Sequence, residues 1–144
     1  MKASTVQKVL GQIDPQMVRE FREAWRISRN GSSFVEGLVL ILRLPDGSYQ
    51  ASLQGQTNQF KSVTFSFRPD IAAIVHTHPN GSDPRPSDAD RETADLCGVP
   101  IFTITMEGMF VYDPVTQKTS KVMEGLDWLK PSRWTKKKVA KLEA

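Results

Sequence analysis

His76-Thr77-His78 holds the only two histidines of this 144-residue chain. Where a strand runs out, residues i and i+2 point to the same side, so both imidazoles can converge on one ion. The plainer account is two polar residues where a strand meets a loop. It has to explain why the whole histidine content falls in one such pair. Ser87-Asp88-Ala89-Asp90 follows downstream. Ser-x-x-acid ahead of a helical stretch reads as a capping box, with Ser87 as N-cap and Asp90 at the third helical position. The same helix start aims Asp90 outward, where a rigidly placed third ligand would be useful. Two imidazoles and one carboxylate leave a fourth tetrahedral position for water, as in a catalytic rather than a structural zinc site. Zinc held this way brings the pKa of its water to about 7. That chemistry needs a base near the water but off the metal. Glu36 is the candidate, in Val35-Glu36-Gly37-Leu38-Val39-Leu40, because a carboxylate in an apolar strand is costly unless it has a purpose or faces solvent. On local sequence alone, an outward-facing strand-end residue is the simpler reading of Glu36.

Other metal arrangements fit less well. The chain has no His-Glu-x-x-His helix, and the lone Cys97 excludes a thiolate-rich structural site. A cupin-like iron site also begins with His-x-His, but it wants a nearby glutamate and a third histidine that this chain lacks.

The elements that must position these residues can be read from periodicity. Asp14-Pro15 is an N-cap and first-turn pair. Met17, Val18, Phe21, Ala24, Trp25 and Ile27 then recur at helical spacing up to a stop at Asn30-Gly31. Val6, Val9, Leu10 and Ile13 suit a shorter helix before it. Phe34 to Leu44 reads as a strand that turns at Pro45-Asp46-Gly47-Ser48, with Tyr49 to Leu53 as its returning partner. Val63, Phe65 and Phe67 alternate with polar residues as in a half-buried strand. Ile71 to Val75 is an apolar run leading straight into His76. A Pro/Gly/Asp-rich loop separates it from a helix over Asp88 to Leu96, ended by Gly98 and Pro100. Ile101 to Thr105 and Met109 to Tyr112 suit a second hairpin. The expectation is a single α/β (α+β) domain, a mixed sheet flanked by helices.

Size and composition agree with one globular domain. The N-terminus lacks the apolar stretch of a secretory signal, no apolar run could span a bilayer, and one cysteine cannot form an internal disulfide. A cytoplasmic protein is the expectation. The net charge of +3 is uneven, because residues 130–144 carry Lys130, Arg133, Lys136, Lys137, Lys138 and Lys141 against Glu143 alone. Such a tail is most simply a solvated end. With Trp128 and Trp134 it also raises a nucleic-acid reading, through stacking beside positive charge.

Taken together, Glu36, His76-Thr77-His78-Pro79 and Ser87-Asp88-Ala89-Asp90 resemble the signature of the JAMM metalloprotease family, also called the JAB/MPN domain. The resemblance covers roughly residues 30–115, and the loop between His78 and Ser87 is one residue longer than the family pattern. It implies an MPN/JAB-like core over 32–129, preceded by a helical segment at 1–31 and followed by the basic tail at 130–144. It implies one zinc ion per chain held by His76, His78 and Asp90, with Glu36 as general base and then general acid, and Ser87 stabilising the oxyanion. Asp88 is the nearest rival to Asp90. Glu20 and Glu23 compete with Glu36 but fall within the predicted helix. The activity implied is hydrolysis of a peptide or isopeptide bond in a protein or peptide substrate, ubiquitin-like conjugates among them. Nothing points to a membrane partner. The polar residues Gln50, Gln54, Gln56, Asn58 and Gln59 suit a substrate surface, though an exposed hairpin is the simpler account. The alternative is a non-catalytic MPN-like scaffold that binds protein partners, as in relatives that have lost the metal.

Overall fold

Two side chains start the first helices. Ser4 accepts the Gln7 N–H and caps α1 (Thr5–Gly11) through a full capping box. Asp14 accepts the Met17 N–H and caps α2 (Pro15–Ile27), with Pro15 in the first turn. Each cap satisfies a backbone donor the helix leaves free, worth about 1 kcal/mol. Beyond α2 the chain turns through Arg29, Asn30 and Gly31, all at positive φ. The computed structural model describes residues 4–33, 35–57 and 68–135. Phe34, the expected strand at Val63, Phe65 and Phe67, the polar Asn58 and Gln59, and the tail lysines 136–138 and 141 lie outside them.

Six described strands form one mixed sheet: β1 (Glu36–Arg43), β2 (Tyr49–Thr57), β3 (Ile71–Thr77), β4 (Ile101–Thr105), β5 (Gly108–Asp113) and β6 (Lys118–Glu124), in the order β2-β1-β3-β4-β5-β6. Every neighbour pair is antiparallel except β3 and β4, which run parallel because α3 (Asp88–Cys97) crosses between them. The α/β class therefore holds, with helices on both faces. α1, α2 and the segment around Trp128 and Leu129 cover one face, over Val39, Ile41, Ala73, Val75, Phe102 and Ile104. α3 covers the other through Ala94, over Leu38, Leu40, Ile74 and Ile101. Strand alternation decides which side chains reach which layer. Glu36, Leu38 and Leu40 share the α3 face, and β1–β3 register sets Leu38 opposite His76. Glu36 and His76 are thus directed to the same layer.

Three details hold this frame. Gly37 lies so close to α2 that a Cβ there would come within 2.4 Å of the Ala24 carbonyl oxygen. Its N–H donates to the buried hydroxyl of Thr77 at 3.0 Å, tying the base of β1 to the end of β3. Along the outer edge of β2, the Gln16 side chain both donates to the Ala51 carbonyl (2.9 Å) and accepts its N–H (3.2 Å), while Glu20 accepts the Leu53 N–H at 3.2 Å. α2 thereby occupies backbone groups that an open sheet edge would leave free. At the other end, Trp128 meets Phe21 edge-on at 6.2 Å, and the Trp134 indole donates to the Trp128 carbonyl at 2.7 Å. These tryptophans anchor the segment beyond the sheet to the α2 layer. No helix among the described residues is long and apolar enough to cross a membrane.

Candidate metal centre

At the end of β3 the chain delivers both histidines to the α3 side, and both are buried. Their rings lie 4.9 Å apart between centroids. The ligand-type atoms of Glu36, His76 and His78 all fall within 4.8 Å of one another, so this buried group could hold a metal ion.

Nδ1 of each ring has one hydrogen-bond partner. Nδ1 of His76 lies 3.1 Å from Oε1 of Glu36, and Nδ1 of His78 lies 3.0 Å from the carbonyl oxygen of Asp83. A backbone carbonyl can only accept, which favours the proton of His78 on Nδ1, and the Glu36 carboxylate favours the same for His76 when Nε2 holds a metal. Each Nε2 then presents its lone pair, the form in which imidazole binds a metal.

Both Nε2 atoms face Asp90. Its Oδ1 lies 3.1 Å from Nε2 of His76 and its Oδ2 lies 3.3 Å from Nε2 of His78. The α3 N-terminus holds this carboxylate in place. Ser87 accepts the Asp90 N–H through Oγ (3.1 Å), and its own N–H donates to Oδ2 of Asp90 at 2.8 Å. The capping box is therefore present, and it orients Asp90 toward the histidines as well as starting the helix. Ser87 Oγ accepts in that box, which leaves its own hydrogen free to donate elsewhere.

The result is a cluster in which His78 Nε2 lies within hydrogen-bond distance of Asp90 Oδ2, and in which two neutral rings of this tautomer would turn lone pairs toward a carboxylate. Nε2 of His76 is buried and makes no hydrogen bond to any described group. Such a cluster needs a cation, either an extra proton or a metal. Without a metal the proton takes the place. Burial opposes a charge on His76, but the carboxylates of Asp90 and Glu36 outweigh it and push its pKa up to about 10. Burial likewise works against the Asp90 charge, yet His76 and His78 hold its carboxyl well below the usual range. With a metal, ligand atoms roughly 2.0–2.1 Å from a tetrahedral ion sit about 3.3–3.4 Å from one another. The 3.1 Å contact to His76 and the 3.3 Å contact to His78 are of that order, but they are made by different oxygens of Asp90, so the carboxylate would turn to serve both rings through one of them. Two imidazole nitrogens with a carboxylate beside them are a donor set that suits a divalent metal ion.

A cavity of about 510 Å³ opens on this cluster, lined by Glu36, His76, His78, Ser87 and Asp90 among others. All five candidate site residues therefore meet in one place. The rivals are otherwise engaged, although Asp88 also lines the cavity. Asp88 is exposed and paired with Arg91, Glu20 is engaged on β2, and Glu23 pairs with Arg26 at the surface. Two groups escape a reading of the sequence. The Asp83 carbonyl is a backbone atom and leaves no mark in a residue pattern. Thr103 is buried on β4 and donates to the Pro84 carbonyl at 2.6 Å. Its signal is present, as a polar residue inside the apolar run Ile101-Phe102-Thr103-Ile104. A scan against protein-family models finds no match to this chain, and neither does a search of curated proteins.

Proposed function

We propose that the chain is a zinc-dependent hydrolase of amide bonds, a peptidase or isopeptidase of the JAMM kind acting on a protein or peptide substrate. The observation that carries this reading is the cluster itself: two Nε2 atoms face one carboxylate at 3.1 and 3.3 Å, and that of His76 is buried without a hydrogen bond. His76, His78 and Asp90 would hold the ion. When bound, zinc acidifies a water and polarises a carbonyl, which is what amide hydrolysis at neutral pH requires.

The chain's own residues supply the remainder. Glu36 lines the cavity, so its carboxylate can take a proton from the attacking water and return it to the leaving amine. The same group steadies the His76 ring. Ser87 can offer its hydroxyl hydrogen to the oxygen that gains charge as the carbonyl is attacked. Burial of Glu36, His76 and His78 keeps these interactions in a low-dielectric setting, where they count for more.

The test is hydrolysis of quenched peptide and lysine-isopeptide substrates by protein reconstituted with zinc. Cleavage that a chelator abolishes and zinc restores is the expected result. A zinc-loaded protein inert across amide substrates would remove the hydrolase reading and leave a protein-binding scaffold.

A further inference from the structure

His78 owes its tautomer to the Asp83 carbonyl, so whatever fixes that carbonyl also tunes the ligand. The loop over residues 79–86 has no regular structure of its own. Within it, Ser82 donates to the Pro79 carbonyl at 2.7 Å, and Asp83 accepts from Arg85 through its backbone N–H (3.0 Å), Nε (3.0 Å) and Nη2 (2.8 Å). The Asp83–Arg85 pair is mostly solvent-exposed, at 57% and 61%, where an ion pair contributes little. The loop's tie to the sheet is different in kind. Thr103 is wholly buried, stands beside His76 in the parallel β3–β4 register, and donates its hydroxyl to the Pro84 carbonyl at 2.6 Å. Pro84 is the next residue after Asp83. A short hydrogen bond shielded from water therefore pins the peptide adjoining the one that orients His78.

We propose that Thr103 is a positioning residue for the metal ligand His78, acting through the Pro84 and Asp83 carbonyls. This inference rests on the metal reading given above. A second contact is consistent with it: Arg91 donates to the Pro86 carbonyl at 3.0 Å, holding the far end of the same loop to α3. Thr103 holds it to the sheet. With both in place, the Asp83 carbonyl is presented to Nδ1 and Nε2 is aimed at Asp90. Releasing the Thr103 tie leaves all three ligands in the chain but loosens the aim of one.

The test is zinc affinity, measured by competition with a chromophoric chelator, alongside the cobalt(II) absorption spectrum and the melting temperature of the metal-free protein. Thr103→Val keeps the shape and removes the donor. It is expected to weaken zinc binding by more than about threefold and up to about tenfold, the low end of what losing a direct partner of a ligand costs, because Thr103 stands one peptide further out, and to change the cobalt spectrum. Thr103→Ser keeps the donor and should stay within about threefold of wild type, as should Arg85→Ala at the exposed pair. A folded Thr103→Val variant that binds zinc as tightly as wild type overturns the assignment. Should Thr103→Val fail to fold, the wild type decides. Nitrogen-15 spectra of the zinc-loaded protein are expected to show His78 protonated on Nδ1, and protonation on Nε2 overturns the assignment. Wild type that takes up no zinc overturns the metal reading, and this assignment falls with it.

Discussion

Oε1 of Glu36 lies 3.1 Å from Nδ1 of His76, across 40 residues of sequence and at almost no solvent exposure. The contact orients the His76 ring, and the proposed function adds a second task for Glu36, handling a proton. Glu36→Gln separates them. The amide oxygen still accepts from Nδ1, so zinc is expected to stay bound, weakened by no more than about tenfold. The proton-transfer group is gone, so kcat should fall about 10²- to 10⁴-fold. Metal content and turnover of the same preparation check both parts, and a fully active Glu36→Gln would show that another group is the base.

Ser87 caps α3, and the proposed function adds a second task for its hydroxyl. Replacing it with alanine removes the cap that accepts the Asp90 N–H, at a cost of about 0.5–2 kcal/mol in stability. If its hydroxyl also steadies the oxyanion, kcat should fall by about 10²-fold or more with zinc retained. Thermal melting and kinetics together distinguish the roles: Ser87→Ala with a lowered Tm but unchanged kcat would make Ser87 a helix cap and nothing else.

Gly37 is required by packing. A methyl group there meets the Ala24 backbone, which has no flexible end to move aside. Gly37→Ala should therefore cost about 1–3 kcal/mol by pushing α2 away from β1. Denaturant unfolding measures it. A variant as stable as wild type would mean that α2 can lift off the sheet at no cost.

Much of this site is legible in the amino-acid sequence, and the limits of that legibility have physical causes. The His76/His78 pair and the Ser87–Asp90 box are local patterns, set by strand alternation and by the first turn of a helix. α2 and β3 are legible for the same reason, since their apolar residues recur at the period of the element that buries them. The union of Glu36 with His76 is not readable from local pattern, because it depends on antiparallel register between β1 and β3. The resemblance to a family motif stands in for that register. β6 gives no sign of itself in the sequence. Its residues, Lys118-Thr-Ser-Lys-Val-Met-Glu, are largely exposed at the sheet edge and carry no apolar alternation. β5 templates it, so only tertiary pairing reveals it. β2 likewise runs to Thr57, beyond the expected end at Leu53, through a bulge where Gly55 takes positive φ. Thr103 is visible as a polar residue in an apolar strand, but its partner is a loop carbonyl that only the β3-α3-β4 crossover brings near.

The claim on which everything else depends is that His76, His78 and Asp90 bind a metal. The most direct measurement is elemental mass spectrometry of the purified protein after exposure to zinc, with His76→Ala and Asp90→Ala alongside. Close to one zinc per chain is expected in wild type, and none in either variant. Wild-type protein that remains metal-free, or variants that keep a full equivalent, would contradict the account.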